Sequence, residues 1–525
     1  MPPRARAVLL LYGALSLLVV PVFPHFLSPN EFARWAVAAS IAERGTVEIS
    51  AVAPLLGPAF EDVSRHEGRL YANKSPGLAG VALPGYVVAR PFAGPPSRES
   101  MRPALTAMRL AGSTLPLLLL GVLFSLAAIR LGADPSRVPP ALFALLFATP
   151  LFAYGLLLFS HALAAAALFG AWSALFLPAA PRSLARRELL AGALLGLAVL
   201  SEPPVAVPAG VLFLCAAWRR GAGRPLRVLL GAAPFAAALL AYNAVCFGGP
   251  FEFSSGHEAD ASFRALASAG IFGVSWPSPA TLLRLLADPS KGLLLFSPVL
   301  ILFVRALLPA VHVLGRGAVM AISLVPLSLL LLYSGYPNWH GGFTVGPRYL
   351  VPALPFLVFP LVFRGGGRLE AGLLGASAGA VTLTTLVFPF VPPGFALPWG
   401  SFAAPLLSDG LVLPNLLHLF PGGAAAVAGP FLLVAGAALA AIPRERLAPA
   451  FLGAALVLCA GLAVNAAGAT GPRERLLRAY VADVYFGRAG ALEREIAATG
   501  TPQPRLLARR EAESRLGPLD WPFGR

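Results

Sequence analysis

Residues 4–36 read RARAVLLLYGALSLLVVPVFPHFLSPNEFARWA. Two arginines precede an apolar run from Ala7 to Leu27, which is long enough to cross the hydrocarbon core of a bilayer. A signal peptide has a similar start, but no convincing small-residue cleavage site precedes the polar stretch. We therefore interpret the run as an uncleaved first transmembrane helix with a cytoplasmic N-terminus.

The composition predicts an all-α, polytopic membrane protein. The 525 residues are 57% hydrophobic and 12% charged, with a mean hydropathy of +0.75, whereas soluble domains carry roughly 25% charged residues. Arginines in cytoplasmic loops explain the net charge of +16, so we predict no nucleic-acid partner. The three cysteines have no Cys-x-x-Cys spacing, and neither a disulfide framework nor a cysteine-based metal site is indicated.

Apolar runs predict about thirteen spans in a helical bundle. They are 7–27, 106–129, 138–158, 161–180, 189–201, 203–218, 227–246, 292–312, 318–334, 349–363, 370–392, 428–442 and 448–470. We predict a transmembrane domain over 1–470, with a large outer loop at 28–105 that carries juxtamembrane helices. A small helical, extracytoplasmic tail follows over 471–525.

Arginine placement sets the orientation of the spans. The loops predicted to be cytoplasmic contain Arg130, Arg137, Arg182, Arg186, Arg187, Arg219, Arg220, Arg224, Arg227, Arg316, Arg364, Arg368, Arg444 and Arg446. The segment 78–93 is apolar but short, and Gly80, Pro84 and Gly85 interrupt it. Counting it as a span would invert every later loop, so we predict a re-entrant or surface-lying helix there and an extracytoplasmic C-terminus.

The residues that follow the first span predict a polar helix at the membrane boundary. Pro29 or Asn30 supplies a start signal, and Glu31, Arg34 and Trp35 share one face of the helix by spacing. A carboxylate there is a plausible general base. The alternative is an acidic residue in a first helical turn, which the helix dipole favours.

A second polar segment contains Asp62 and Lys74, which we expect to face one pocket. Lys74 lies just before a predicted helix start, where an ammonium and exposed amides can converge on an anion. Lys74 and Lys291 are the only two lysines beside thirty-eight arginines. A site that needs a compact charge would resist replacement by arginine, although a solvated loop or chance survival would give the same residues.

The loop from Tyr336 to Tyr349 is the third candidate site, and it contains His340 and Arg348. Arginine binds phosphate through two parallel hydrogen bonds. Ordinary anchoring by interfacial Trp, Tyr and Arg is the alternative. His161 and Glu202 lie at span ends, where water exposure explains them as well as function does.

The order of these motifs resembles the glycosyltransferase C superfamily, most closely the branch of protein O-mannosyltransferases and lipid A aminoarabinose transferases. Asn30-Glu31 and the helix after it match the family's Asp-Glu motif, and 73–76 (Asn-Lys-Ser-Pro) matches its Lys-Pro segment. The stretch 346–352 is similar to the Arg-Tyr segment of bacterial members. The resemblance covers roughly residues 1–365, and Asn30 departs from it by replacing the first acid.

The resemblance implies a bacterial inner-membrane enzyme that transfers a sugar, with inversion, from a polyprenyl-phosphate donor to an extracytoplasmic acceptor hydroxyl. Glu31 or Asp62 would take the acceptor proton. The expected substrate-binding residues are Lys74, Arg348, Arg34, Lys291, His340 and Tyr349. The expected partners are the lipid donor, membrane lipids and an acceptor that is a glycan, lipid or protein. No cofactor is predicted, and no motif supports a divalent metal.

The sequence is compatible with two other functions. A transporter or flippase would carry ionisable residues near span centres, and Arg305 is the clearest such residue in this chain. A catalytically inactive relative that binds a lipid-linked sugar is the other alternative, because Asn30 replaces an acid.

Overall fold

The computed structural model describes residues 1–23, 28–57, 62–178, 180–220, 223–268, 270, 273–421, 423–467, 470–500 and 502–515. The helices in the first half of the chain are α1 (Pro3–Leu18), α2 (Pro29–Arg44), α3 (Gly77–Ala93), α4 (Arg98–Arg109), α5 (Leu115–Arg130), α6 (Val138–Phe147), α7 (Leu151–Leu156), α8 (Ser160–Phe176), α9 (Leu184–Ser201), α10 (Ala206–Arg220), α11 (Gly223–Phe247) and α12 (Ala261–Ser268). Those in the second half are α13 (Pro279–Ala287), α14 (Leu293–Phe296), α15 (Phe303–Leu314), α16 (Arg316–Ser334), α17 (Leu354–Val358), α18 (Arg368–Val387), α19 (Ala404–Ser408), α20 (Gly423–Ala441), α21 (Arg444–Ala466), α22 (Pro472–Tyr480), α23 (Ala491–Thr499) and α24 (Pro504–Arg515).

The chain is a polytopic helical membrane protein. Six described helical stretches are long and apolar enough to cross a bilayer: Arg98–Arg130, Pro225–Phe247, Arg316–Ser334, Arg368–Val387, Gly423–Ala441 and Arg444–Ala466. Five shorter apolar segments accompany them: Val138–Phe147, Ser160–Phe176, Pro203–Trp218, Pro298–Leu314 and Arg348–Phe363. Prolines shorten several spans that were predicted to be continuous, because proline removes a backbone donor and disturbs the preceding turn.

The first helix ends earlier than the predicted span. α1 stops at Leu18, and residues 24–27 at the end of that span lie outside the described residues. Val20 precedes Pro21, a position that disfavours helical backbone, and its N–H donates to the carbonyl of Pro414 at 2.8 Å. The chain therefore leaves the helix and pairs with the segment between α19 and α20.

The helices predicted after the first span are present where the sequence indicated. α2 begins at Pro29 and ends at Arg44, and Gly45, whose φ of 65° is left-handed, caps it. α3 begins at Gly77, immediately after the Ser-Pro turn. A Cβ at Gly77 would lie 2.6 Å from the Ser201 backbone nitrogen, so only glycine lets the start of α3 pack this closely against the end of α9.

A β-hairpin in the first outer loop is an addition to the predicted all-α fold. Strands β1 (Val63–His66) and β2 (Arg69–Ala72) pair antiparallel. Glu67 and Gly68 both have positive φ, 48° and 78°, as a two-residue hairpin turn requires. The register pairs Val63 with Ala72 and thereby sets the residues that flank the strands, Asp62 and Asn73, side by side at the open end.

The segment between α11 and α12 docks against this hairpin. Ala259 N–H donates to the Val63 carbonyl at 2.9 Å, and Ser64 forms an isolated bridge with Glu258. The hydroxyl of Ser254 donates to the Asn73 carbonyl at 3.0 Å. These bonds bring Glu258 beside Asp62 and Asn73.

Candidate functional site

A cavity of about 350 Å³ lies where the hairpin and the segments that follow α11 and α16 meet the ends of several helices. It is lined by Ser28, Pro29, Asn30, Asp62, Asn73, Lys74, Phe159, Ser255, Glu258, Phe263, Leu266, Ala267, Tyr336, Asn338, Gly341, Gly342, Phe343, Arg348, Tyr349, Phe390, Tyr480 and Tyr485. The volume is in the range of small-molecule sites. Four of the predicted site residues, Asp62, Lys74, Arg348 and Tyr349, therefore line one cavity.

Two carboxylates and a lysine meet on the hairpin side of the cavity. Lys74 Nζ donates to Asp62 Oδ1 at 3.0 Å. Asn73 Nδ2 donates to the same oxygen at 3.2 Å and to the two oxygens of Glu258 at 3.1 and 3.0 Å. An ammonium carries three donors, and its bond to Asp62 leaves the others for a ligand.

The pKa values of these two carboxyls move in opposite directions. Burial raises the pKa of Asp62, but Lys74, Asn73 and Arg348 outweigh burial and hold that pKa below its ordinary value. Burial raises the pKa of Glu258 to about 7, although Lys74 and Asn73 oppose the shift. Asp62 is thus ionised at neutral pH, while Glu258 can gain or lose a proton.

Arg348 supplies the second positive charge of the cavity. Its Nη2 donates to the Tyr349 hydroxyl at 2.9 Å, and its guanidinium carbon lies 4.8 Å from the centroid of the Tyr349 ring. No carboxylate is paired with Arg348 in the described part of the chain. Gly341 has a φ of 70°, and a Cβ there would lie 2.8 Å from the Arg348 stem, so this glycine makes room for the arginine.

A buried polar chain lies behind the wall formed by Asn30. Arg34, which is 3% exposed, donates from Nη1 to the Asn30 carbonyl at 2.7 Å and to the Asn30 side-chain oxygen. Its Nη2 donates to the Ser160 hydroxyl at 3.1 Å, and that hydroxyl donates to Glu202. Arg34 therefore orients a residue of the cavity wall, and it does not itself line the cavity.

Glu31, the first candidate base, lies outside the cavity lining. The side chain is 2% exposed, and its two oxygens accept bonds from Nε and Nη2 of Arg109, the first at 2.7 Å. The backbone N–H of Leu158 donates to the same carboxylate at 2.7 Å. Three donors thus hold Glu31 behind the site, where it ties α2 to α4 and to the segment before α8.

Lys291 and His340 also lie apart from the cavity lining. The ammonium of Lys291 is enclosed by backbone carbonyls, and it donates to Gly342 at 3.1 Å, to Val391 at 2.9 Å and to Thr344. His340 Nδ1 accepts a bond from the Gly342 N–H at 3.0 Å. Through these contacts both residues stabilise the conformation of the loop that presents Arg348.

Sequence reasoning missed two contributions to the cavity. Glu258 lies in a loop with no motif, and the hairpin register is what places it. Tyr480 and Tyr485 come from the tail, where Tyr485 packs edge-to-face on Phe388 with ring centroids 4.7 Å apart. Gly68 is a local turn signal in this segment, but Glu67-Gly68 is not one of the strong hairpin pairs, so the sequence marks a turn without giving the register.

The described residues contain no group of three or more His, Cys, Asp or Glu placed to hold a metal ion. The cavity combines two cations, the Asp62 carboxylate, whose pKa is held below its ordinary value, and the Glu258 carboxyl, whose pKa is about 7. Aromatic rings form much of the remaining wall. Such a site can bind an anion, stabilise charge that develops on it, and accept a proton from a neighbouring hydroxyl.

The comparisons with known proteins found similar proteins among solved structures alone. No protein-family model matches the chain, and no curated protein matches it. The chain is similar to ArnT from Cupriavidus metallidurans in the apo state, with 15% identity, a TM-score of 0.46, and coverage of 94% of this chain and 87% of that chain. The structure of the same protein bound to undecaprenyl phosphate gives 14% identity, a TM-score of 0.46, and coverage of 96% and 88%.

An oligosaccharyltransferase from Archaeoglobus fulgidus in the apo form is also similar. It has 15% identity and a TM-score of 0.40, and the match covers 99% of this chain and 62% of that one.

Proposed function

We propose that the protein is a membrane glycosyltransferase that uses a polyprenyl-phosphate sugar as donor. The observation that carries the proposal is the meeting of Lys74, Arg348, Asp62 and Glu258 in one cavity at the ends of the spans. A lipid-linked phosphate reaches such a site from the bilayer while its sugar lies among the outer loops. The two cations can offset the single negative charge of the donor phosphodiester and the second charge that forms on the departing polyprenyl phosphate.

In this mechanism the acceptor hydroxyl attacks the anomeric carbon, and the bond from that carbon to the phosphate oxygen breaks with inversion. Lys74 and Arg348 hold the phosphate and stabilise the charge that grows on it as it leaves. The departing group is the polyprenyl phosphate. Fixed cations in a partly buried site do this with little reorganisation.

Glu258 is the proposed general base, in place of Glu31. It lines the cavity, and a carboxyl with a pKa of about 7 is well matched to proton transfer near neutral pH. Asp62 has a depressed pKa and acts as a positioning residue that holds Lys74. Glu31 supports the wall from behind through Arg109 and Leu158.

A transporter remains the alternative from another class, and the distribution of charge argues against it. Arg305, the ionisable residue predicted near a span interior, is exposed on the outer surface of α15. The cavity charges are gathered at one end of the bundle. An inactive lipid-binding relative would share the cavity, and only an assay of bond cleavage separates it from an enzyme.

The chemical state of the donor phosphate tests the proposal. Proteoliposomes of the purified protein are incubated with a panel of undecaprenyl-phosphate sugars and with an extract of envelope acceptors, and 31P NMR is recorded. An enzyme converts the phosphodiester signal into that of a phosphomonoester, and Glu258→Gln slows the conversion by about 10²–10⁴-fold. A phosphodiester that stays intact across the panel would contradict the proposal.

A further inference from the structure

A second charged cluster lies at the opposite end of the helices from the cavity. α18 begins at Arg368, and the segment after it reaches the cavity wall at Phe390. α18 has 20 residues and is therefore about 30 Å long. α21 runs in the same direction, from Arg444 toward the tail that supplies Tyr480.

One glutamate accepts hydrogen bonds from two arginines in this cluster. Arg137 Nη2 donates to Glu370 Oε1 at 2.7 Å, and Arg364 Nη1 donates to Glu370 Oε2 at 2.8 Å. The side chains of Arg137 and Glu370 are 10% and 11% exposed. Arg137 Nε is buried and has no hydrogen-bond partner. The single carboxylate thus pairs with both arginines, the buried Arg137 and the half-buried Arg364, and neutralises one of their two charges.

A third arginine adds charge that no described carboxylate offsets. Arg446 has no bonded oxygen among the described residues. A Cβ built at Gly366 would lie 1.9 Å from Arg137 Nη1 and 2.3 Å from Arg446 Nη1. The two guanidinium groups are therefore near neighbours, and three arginines share one glutamate.

We propose that this cluster, formed by Arg137, Arg364 and Arg446, binds the phosphate of an anionic phospholipid head group. Two adjacent guanidinium forks match phosphate oxygens. The N-termini of α18 and α21 also point their positive dipole ends toward this region. An anion there would offset the repulsion between Arg137 and Arg446.

The surroundings favour a lipid over a free anion. Leu369, next to the start of α18, is 66% exposed, and Phe451 and Leu452 on α21 are 60% and 61% exposed. Apolar side chains that point outward from spanning helices face acyl chains. A lipid whose phosphate lies at this end of α18 and α21 would have its acyl chains beside these helices, as basic sites at the ends of transmembrane helices allow.

Native mass spectrometry of the full-length protein tests the site, with phosphatidylglycerol as the probe and phosphatidylcholine as the neutral comparison. Arg446→Gln removes a half-exposed side chain, and Arg316→Gln removes an exposed arginine at another helix start. A charged hydrogen bond is worth about 1.5–3 kcal/mol, so Arg446→Gln should weaken phosphatidylglycerol binding about tenfold or more. Arg316→Gln should leave it unchanged.

Three results would overturn the proposal. Binding that survives Arg446→Gln would remove the cluster as the site. Equal loss in Arg316→Gln would mean general surface charge. Displacement of the lipid by millimolar inorganic phosphate would identify a soluble anion as the occupant. Because the cluster lies far from the cavity, Arg446→Gln should keep undecaprenyl-phosphate binding, which also serves as the check on folding.

Discussion

Glu31 and Arg109 form a buried, two-pronged ion pair behind the wall of the cavity. Removal of one partner from such a pair leaves an uncompensated buried charge and costs about 3–5 kcal/mol. Glu31→Gln should therefore lower the thermal stability of the purified protein, and any loss of turnover should follow from that.

A double variant separates a structural role from a catalytic one. If Glu31 serves only to pair with Arg109, Glu31→Gln combined with Arg109→Gln should recover much of the stability and activity that the single variants lose. A double variant that is as stable as the wild type yet inactive would restore Glu31 as the general base.

The pH dependence of kcat/KM should report Glu258. The pKa of this carboxyl is about 7, and only its ionised form accepts a proton. Activity should therefore fall about tenfold per pH unit below pH 7 and level off above it.

Glu258→Gln should lower kcat by about 10²–10⁴, whereas Glu252→Gln, an exposed change in the same loop, should not. A wild-type profile that stays flat from pH 5 to 8 would exclude Glu258.

Lys74 should be needed as a compact charge. Lys74→Ala is expected to raise KM for the lipid donor and lower kcat, because the phosphate loses a cation in the ground and transition states. Lys74→Arg should rescue only in part, since a guanidinium fork differs in geometry from an ammonium. Arg69→Ala on the same hairpin, with a side chain that is 65% exposed, is the matched control. Wild-type donor kinetics in Lys74→Ala would remove Lys74 from the site.

The other lysine should affect stability rather than binding. Lys291→Met leaves the carbonyls of Gly342, Thr344 and Val391 without their shared donor. The loss should be at least about 1.5–3 kcal/mol, the value of one charged hydrogen bond. Melting curves of detergent-purified protein would record it. Unchanged melting combined with weaker donor binding would show that Lys291 contacts substrate after all.

Several elements were predictable because their signals are local. Pro29 and Gly45 mark the two ends of α2, and the Ser-Pro-Gly turn marks the start of α3. The shared pocket of Asp62 and Lys74 was also predicted, since both flank one short segment. Span boundaries were less exact, because proline and pairing with distant loops ended α1 at Leu18.

The remaining features depend on contacts between distant parts of the chain. Glu31 meets Arg109 across 78 positions, and Lys291 meets Val391 across 100. The local sequence around Arg109 and Val391 does not show whether these residues are buried or exposed. Glu258 reaches the cavity only because the hairpin register and the bridge to Ser64 place it there.

The tail and the first outer loop should lie on the same side of the membrane. Tyr480 and Tyr485 line the cavity together with Asn30 and Lys74. The arginine pattern predicts that this side is extracytoplasmic. A reporter that fluoresces only in the cytoplasm should be dark when fused after residue 525 and bright at the N-terminus. A bright C-terminal fusion would contradict both the span count and the orientation.

Binding of undecaprenyl phosphate to the purified protein tests the central claim most directly, because it requires neither the donor sugar nor the acceptor. We expect saturable binding by the wild type. A charged hydrogen bond is worth about 1.5–3 kcal/mol, so Lys74→Ala and Arg348→Ala should each weaken binding about tenfold or more, while Arg69→Ala leaves it unchanged. Equal affinity of the wild type and a folded Lys74→Ala, Arg348→Ala double variant would show that the cavity is not the lipid-phosphate site.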